Sequence, residues 1–511
     1  MVELRVMEYT SHRALTNISW SVLGFVWPIC FAIFITPLVV HSMGIRIFGI
    51  YTFINTGISV LGLIDFGLSA AVSKYLAEYH AKGEREKTKT LISTSKIIFF
   101  VIGLVGALIF IFGASIPIVN SLYIEVQPYR IGIIAAGILF FITSITSIYS
   151  LSFTSLQRFD ISSKIGIITL TIQQLSILTL ILLGYSINSI FVTILFITVI
   201  SFFVQKSIIH KILPEANYKL SWDTAEAIKC YKFGLVTFTN NIATTSLTYL
   251  DRLIMPFFLG PSNLTYYSLP GNITTRIPGV ANSLSTIMFP MTSSLNGLGE
   301  TEKIKQLYIR SFRLITVISA AITVTTISFA KEILTYWISP DFAEKATTVL
   351  VVLAVTNFIL ALSGPLSSFL LGLGKLKFLT TISITMAVFN TILLIIFLPM
   401  AGIKGAAYAY LLSLLPVAFM FYFTEKHYLK LSNRKRYYLH MISGNIAVSL
   451  IVFLISHYLT VYTIHNLFSL LIASALTGIM YILIYWLLGF FEKEDEISIK
   501  TFAFKIFRPS A

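Results

Sequence analysis

Asn241, Thr245, Thr248 and Arg252 recur at intervals of four, three and four residues inside an otherwise apolar stretch, so they share one face of a helix. Asn272, Arg276, Gly279, Ser283 and Thr286 repeat the pattern in the next stretch, and Asn55, Ser59, Gly62 and Ser69 do so more softly in an earlier one. A charge inside a bilayer costs roughly 2.5–3.5 kcal/mol even on the lenient insertion scale. Stripes of this kind therefore predict either a water-accessible cleft or interhelical hydrogen bonds, the latter worth about 0.6 kcal/mol each. Arg276 lies about ten residues into its stretch, roughly 15 Å deep at 1.5 Å per residue, near the midplane of a membrane. Arg276 and Arg252 are candidates to bind an anion. Pairing of Arg276 with Asp251 is the alternative, because buried charges need partners. Asp65, in Leu63-Ile64-Asp65-Phe66-Gly67-Leu68, could cap a helix, pair with a basic loop or take part in ion coupling, as could Asp251. Arg46 reads as a loop arginine or an outer rim.

Motifs for bond-making chemistry are missing. No Gly-x4-Gly-Lys phosphate loop occurs, no His-x4-Asp or Asp-x-Asp pair is present, and no His/Cys cluster has zinc spacing. Neither a catalytic residue, a metal site nor a cofactor is expected, and transport fits this pattern better than an enzyme. Cys30 and Cys230 sit in or beside apolar segments, which predicts no bridge between them.

The elements that must carry these stripes follow from composition. The chain has 511 residues, 56% hydrophobic and 12% charged, with a mean hydropathy of +0.84. Soluble domains carry about 25% charged residues, so this is a membrane protein. An apolar run of about 18 or more residues reads as a transmembrane helix. About fourteen such spans are expected on this criterion, at 18–40, 47–71, 97–119, 131–154, 165–183, 187–205, 233–258, 266–294, 309–329, 346–369, 378–398, 403–423, 441–460 and 467–490. The first run, with Trp27-Pro28 and Pro37, reads as a retained span and not a cleaved signal. The fold class is an all-α polytopic membrane protein.

Orientation follows from the cations. Of the 37 Lys and Arg, Arg252 and Arg276 lie inside spans, and Arg46, Arg130, Lys331, Lys345 and Lys404 fall in one set of alternate loops. The remaining 30 fall in the other set and at both ends, which predicts cytoplasmic termini and an even number of spans. The loops of the opposite face, roughly five to seventeen residues, are too short for a folded domain of about 50 residues.

A repeat underlies the order of spans. Ile35-Thr36-Pro37-Leu38 resembles Ile254-Met255-Pro256-Phe257, Tyr51-Thr52-Phe53 resembles Tyr267-Ser268-Leu269, and the basic loops recur at a shift of about 217. Six helices followed by six more in the same orientation, plus two, is the organisation expected. It predicts a six-helix lobe with its linking loop over 1–232, a second six-helix lobe over 233–440, and two further helices with a cytoplasmic tail over 441–511. Transporters use parallel repeats to rock two lobes about a central site.

The ordered motifs resemble a known family. Gly49-Ile50-Tyr51, Ile64-Asp65-Phe66-Gly67-Leu68 with Lys74-Tyr75, Tyr249-Leu250-Asp251-Arg252, Phe289-Pro290, Leu371-Gly372-Leu373-Gly374-Lys375 and Gly402-Ile403-Lys404-Gly405-Ala406-Ala407 run in order through about residues 12–490. In that order they resemble the Wzx-type O-antigen flippases of the polysaccharide transporter family, within the multidrug/oligosaccharidyl-lipid/polysaccharide exporter superfamily. The resemblance implies two six-helix lobes about a central cavity, alternating access, and cavity arginines similar in role to Arg276 and Arg252. It further implies passage of an undecaprenyl-pyrophosphate-linked oligosaccharide, a repeat unit of O-antigen, capsule or exopolysaccharide, from the cytoplasmic to the periplasmic leaflet of a bacterial inner membrane. Expected partners are that lipid-linked oligosaccharide, membrane lipids, and a polysaccharide polymerase with its chain-length machinery; nucleic acid is not implied. A multidrug or organic-cation antiporter on the same fold is the alternative, and a membrane glycosyltransferase or polymerase a more distant one.

Overall fold

The computed structural model describes residues 2–113, 125–217, 220–430 and 434–491. The side chains of Arg5, Arg13, Ser283, Arg434, Lys435 and Arg436, together with Lys219 and the 492–511 tail, lie outside the described residues. Every regular element among those described is a helix. In order they are α1 (Val2–Met43), α2 (Ile45–Leu61), α3 (Leu68–Ala81), α4 (Arg85–Gly113), α5 (Arg130–Ser155), α6 (Phe159–Leu182), α7 (Ile187–Ile212) and α8 (Thr224–Leu259). Then come α9 (Pro261–Thr274), α10 (Arg276–Gly297), α11 (Thr301–Ser328), α12 (Ala330–Trp337), α13 (Pro340–Gly372), α14 (Leu376–Leu412), α15 (Leu415–Phe423), α16 (Arg434–Thr463) and α17 (Leu467–Leu487).

Eleven stretches among the described residues are long and apolar enough to cross a membrane. The helices read as spans at 233–258 and 266–294 fall short of that apolarity, because their polar stripes dilute it. One of the eleven, Leu376–Tyr428, is 53 residues long, about 80 Å of helix and far more than a hydrocarbon core of about 30 Å needs. The chain turns back inside it at Gly402 (φ 57°, ψ −137°), where Gly405 comes against the carbonyl of Phe397. The expected division between 378–398 and 403–423 falls at this turn.

Two spans expected to be single helices are interrupted. The 47–71 run breaks after Leu61: Gly62–Asp65 forms a 3-10 turn, Phe66 (φ 50°) and Gly67 (φ 75°) are left-handed, and α3 then runs on to Ala81. A Cβ at position 67 would be driven against the Gly234 carbonyl and the Thr237 hydroxyl of α8, so any other residue there is strained. Apart from Asp65 the composition stays apolar across the break and conceals it. The 266–294 run starts earlier, at Pro261, and breaks at Thr275.

The chain divides into two compact units, 1–265 and 266–511. In the first, Leu68, Val72, Leu76 and Tyr79 of α3 pack with Leu91 and Phe99 of α4, Ile148 and Phe153 of α5, Ile209 of α7 and Cys230 of α8. Helix α8 is tied to this unit at its start as well. The Tyr79 hydroxyl donates to Glu226 Oε1 at 2.8 Å, and Lys229 lies over the Tyr75 ring at 4.2 Å. Burial and the Glu226 carboxylate push the Cys230 thiol up to about 11, so it remains protonated and inert at neutral pH. Beyond α8, the Thr265 hydroxyl donates to the Ile45 carbonyl at 2.7 Å. In the second unit, Ile277 and Ala281 of α10 pack with Ile315 of α11 and Ala354 and Ala361 of α13, while Val448, Val452, Tyr481 and Tyr485 join α16 and α17 to α11. Lipid supplies no hydrophobic force between helices, so such packing rests on close fit.

The internal repeat is visible in backbone conformation. Left-handed turns at Gly44, Gly83, Gln157 and Gly184 (φ 80°, 70°, 56° and 80°) recur 216 to 218 residues later at Gly260, Gly299, Gly374 and Gly402 (φ 80°, 73°, 72° and 57°). The ion pairs Lys87–Glu84 and Lys89–Glu86 recur as Lys303–Glu300 and Lys305–Glu302. Each is an exposed pair worth little in stability. Their value here is as a register mark that tripeptide matches alone did not provide.

Candidate functional site

Arg276 opens α10 directly after the break. Helix α9 ends with Thr274 hydrogen-bonded to the Pro270 carbonyl at 3.1 Å, and Thr275 takes no side-chain capping role. The break is held from α13. Asn357, buried, donates from Nδ2 to Thr274 Oγ1 at 3.1 Å and to the Leu353 carbonyl at 2.9 Å. Around this anchor the chain shows two faces: Ile277 and Ala281 are buried in the core, while Asn272 and Thr275 are exposed and Arg276 is half-buried. The guanidinium attracts negative charge.

Helix α8 divides in the same way. Ala243, Leu247, Asp251 and Met255, spaced by four, are buried; Asn241 and Thr248 on the other face are exposed, with Thr245 and Arg252 partly so. Asp251 therefore belongs to the buried face and Arg252 to the polar one. The Arg252 amide donates to Asp251 Oδ1 at 2.7 Å. Asp251 belongs to the first unit and Arg276 to the second.

On α2, Asn55 donates from Nδ2 to the Tyr51 carbonyl at 2.9 Å and Ser59 donates to the Asn55 carbonyl at 3.0 Å. The Thr248 hydroxyl likewise bonds the Thr244 carbonyl of its own helix at 2.8 Å. These donors serve the helix that carries them, unlike Asn357, which joins two helices. The repeat sharpens the comparison: Asn55 stands 217 residues before Asn272, Ser59 before Arg276 and Gly62 before Gly279. One polar stripe thus occurs twice, with a guanidinium in one copy and a hydroxyl in the other.

Asp65 has a structural partner. Its carboxylate accepts the amides of Gly67 and, at 3.4 Å, Ser69, and so caps the start of α3 across the left-handed elbow. Arg46 is an exposed residue in the first turn of α2, not in a loop, and is paired with Glu125 at 3.2 Å. No group of three or more His, Cys, Asp or Glu among the described residues is placed to hold a metal, and both cysteines are free.

Sequence reasoning missed Asn357, a lone amide in a long apolar span, and three hydroxyls of α5, Thr143, Ser144 and Ser147. The latter do carry a signal, Thr143 and Ser147 being one helical turn apart in a span otherwise rich in Ile and Phe.

Three comparisons bear on this arrangement. The profile of a family described as polysaccharide biosynthesis protein matches residues 46–346. A Shigella flexneri protein named as an O-antigen transporter is 24% identical over 401 residues, covering 76% of this chain and 92% of its own. Among solved structures, the lipid II flippase MurJ in an inward closed conformation superposes with a TM-score of 0.69 at 17% identity, covering 92% of this chain and 98% of that one. A multidrug resistance MATE family transporter of the MOP superfamily, facing inward, gives 0.61 at 14% identity over 82% and 99% of the two chains. At such identities the structures establish a shared transporter fold and nothing finer.

Proposed function

The chain belongs to the polysaccharide biosynthesis protein family, and we propose on that premise that it is a flippase for a lipid-linked oligosaccharide. The observation that carries the reading is Arg276, a half-buried guanidinium at the junction of α9 and α10, on a polar stripe that the repeat duplicates. In this reading the substrate is an undecaprenyl-pyrophosphate-linked repeat unit of O-antigen, capsule or exopolysaccharide, moved from the cytoplasmic to the periplasmic leaflet of a bacterial inner membrane. Both termini are cytoplasmic. Asn241, Thr245, Thr248, Arg252, Asn55, Ser59, Asn272, Arg276 and Ser283 offer polar contacts to headgroup and sugars during alternating access.

The energetics suit an exported anion. The barrier is desolvation of the diphosphate and sugars in hydrocarbon, and a polar passage with a deep arginine lowers it. A diphosphate with about two negative charges gains roughly 4.6 kcal/mol per 100 mV on moving outward down a cytoplasm-negative potential, so transport has a driving force without a nucleotide. The name of the O-antigen transporter relative supports the substrate class. An organic cation would gain nothing from Arg276.

A deletion strain tests this. Lipid-linked oligosaccharide is expected to accumulate on the cytoplasmic leaflet while surface polysaccharide is lost, and the trapped sugar identifies the substrate. Normal glycan export with no trapped intermediate would sink the reading and turn attention to drug susceptibility.

A further inference from the structure

Between Lys232 and Asp251, α8 carries no charged side chain. Asn241, Thr244 and Thr248 are nevertheless exposed, with Thr245 partly so, and they lead along one face to Arg252. Asn241 and Arg252 stand eleven residues apart, about 16 Å of helix at 1.5 Å per residue. The hydroxyl protons of this face turn inward. Thr244 donates to the Asn240 carbonyl at 3.1 Å and Thr248 to that of Thr244 at 2.8 Å. Helix α2, in the same unit, repeats the arrangement: Thr52, Asn55 and Ser59 donate to the carbonyls of Phe48, Tyr51 and Asn55 at 2.8, 2.9 and 3.0 Å. It too has no charged side chain between Arg46 and Asp65. The two helices are neighbours, Phe53 of α2 meeting Phe257 of α8 with ring centroids 5.7 Å apart.

A Ser or Thr whose proton goes to a carbonyl of the preceding turn keeps the lone pairs of its oxygen for an outside donor. A helix face rich in such residues therefore presents acceptors, and on α8 the Asn241 amide adds a donor. Sugar hydroxyls donate as well as accept, so they can be satisfied there. A carboxylate or phosphate only accepts, and against lone pairs it would lose its water without compensation. Donors for a diphosphate are found instead on Arg252, at the end of the face, and on Arg276. We propose that the exposed face of α8 from Asn241 to Thr248, with Thr52 and Ser59 of α2, reads the glycan and selects a neutral oligosaccharide over one carrying uronic acid or phosphate substituents. This selection rests on the flippase reading and narrows its substrate to uncharged sugars.

The test compares two probes of equal length, undecaprenyl pyrophosphate bearing a neutral hexosyl-N-acetylhexosamine and its hexuronate counterpart, in vesicles of the full-length protein held at zero membrane potential. Wild-type protein should move the neutral probe about tenfold faster or more. Because a carboxylate is costly to desolvate in any passage, variants of α8 must separate the ladder from that general cost. Thr244→Val combined with Thr248→Val removes both oxygens at nearly constant volume. It should slow the neutral probe by about tenfold to thirtyfold, and the uronate probe and sugar-free undecaprenyl pyrophosphate by less than about threefold. Thr244→Ser with Thr248→Ser keeps the oxygens and should restore most of the neutral rate. Equal wild-type rates for the two probes would overturn the proposal, as would a valine variant that slows all three lipids alike. Equilibrium dialysis of the radiolabelled, lipid-free glycosyl pyrophosphates against purified protein in detergent keeps the two readings apart. Preference for the neutral glycan without leaflet exchange would refute the flippase reading alone; exchange without preference would refute neutral-glycan selection alone.

Discussion

Arg276→Ala is expected to abolish surface glycan while leaving the protein at normal abundance in the membrane. Truncating one partner of a desolvated charge pair costs about 2–5 kcal/mol, which corresponds to a fall of roughly thirtyfold to several-thousandfold in transport rate if the interaction is made at the barrier. Abundance should hold because Arg276 is half-buried at the start of α10 and alanine is a better helix former. Arg276→Lys should fall between, since lysine keeps the charge but not the planar fork that grips a phosphate by two bonds. Quantifying surface polysaccharide beside an immunoblot of the membrane fraction separates these outcomes. Full glycan display by the alanine variant would remove Arg276 from the mechanism. A combined Asp251→Arg and Arg276→Asp exchange addresses the ion-pair alternative: restored function would assign Arg276 to pairing with Asp251.

Gly67→Ala is expected to be strongly destabilising. Position 67 has φ 75°, and its Cβ would be driven into the Gly234 backbone and Thr237 of α8. A left-handed non-glycine residue costs about 1–2 kcal/mol and overpacking typically another 1–3. Together that is a large share of the 5–15 kcal/mol that holds a typical fold. Gly83→Ala is the internal control, because φ is 70° there but no atom lies within 4 Å of the added Cβ. Thermal unfolding of the two purified variants should show Gly67→Ala falling by at least twice as much as Gly83→Ala. Equal losses would mean that the close approach of the elbow to α8 contributes nothing.

The two substitutions probe what was legible in the sequence and what was not. Hydropathy reports how apolar a stretch is, so the membrane class and most spans were readable, and the turn at Gly402 could be placed because Lys404 and Gly405 interrupt the run. Hydropathy is blind to backbone direction. Apart from Asp65 the 47–71 run stays apolar through Gly62, Phe66 and Gly67, and that carboxylate, as a possible cap, and the pair of glycines are the hints that the helix ends there. The break at Thr275 is similarly masked, since Thr and Arg are both tolerated inside helices and its anchor, Asn357, comes from a distant span. Helical periodicity did find the exposed face of α8. It also separated Arg252 from Asp251, adjacent residues that fall on different faces of α8. For Asp65 the sequence allowed a cap, an ion pair or a part in ion coupling; the amides of Gly67 and Ser69 show the cap, and the hydroxyls of α5 that line a pocket with it lie on a helix that a single-helix reading does not reach. Periodicity works along one helix. Pockets are made by several.

The central proposal is that this chain carries a lipid-linked anion across a bilayer with Arg276 in contact with the charge. Reconstitution tests it most directly: purified protein in vesicles containing a fluorescent undecaprenyl-pyrophosphate oligosaccharide, with leaflet position read by a membrane-impermeant quencher or glycosidase. Wild-type vesicles should exchange the lipid between leaflets, faster with the potential oriented to pull negative charge outward, and Arg276→Ala vesicles should match protein-free controls. Exchange equal in wild-type and Arg276→Ala vesicles, or none in either while an organic cation is transported, would contradict the account.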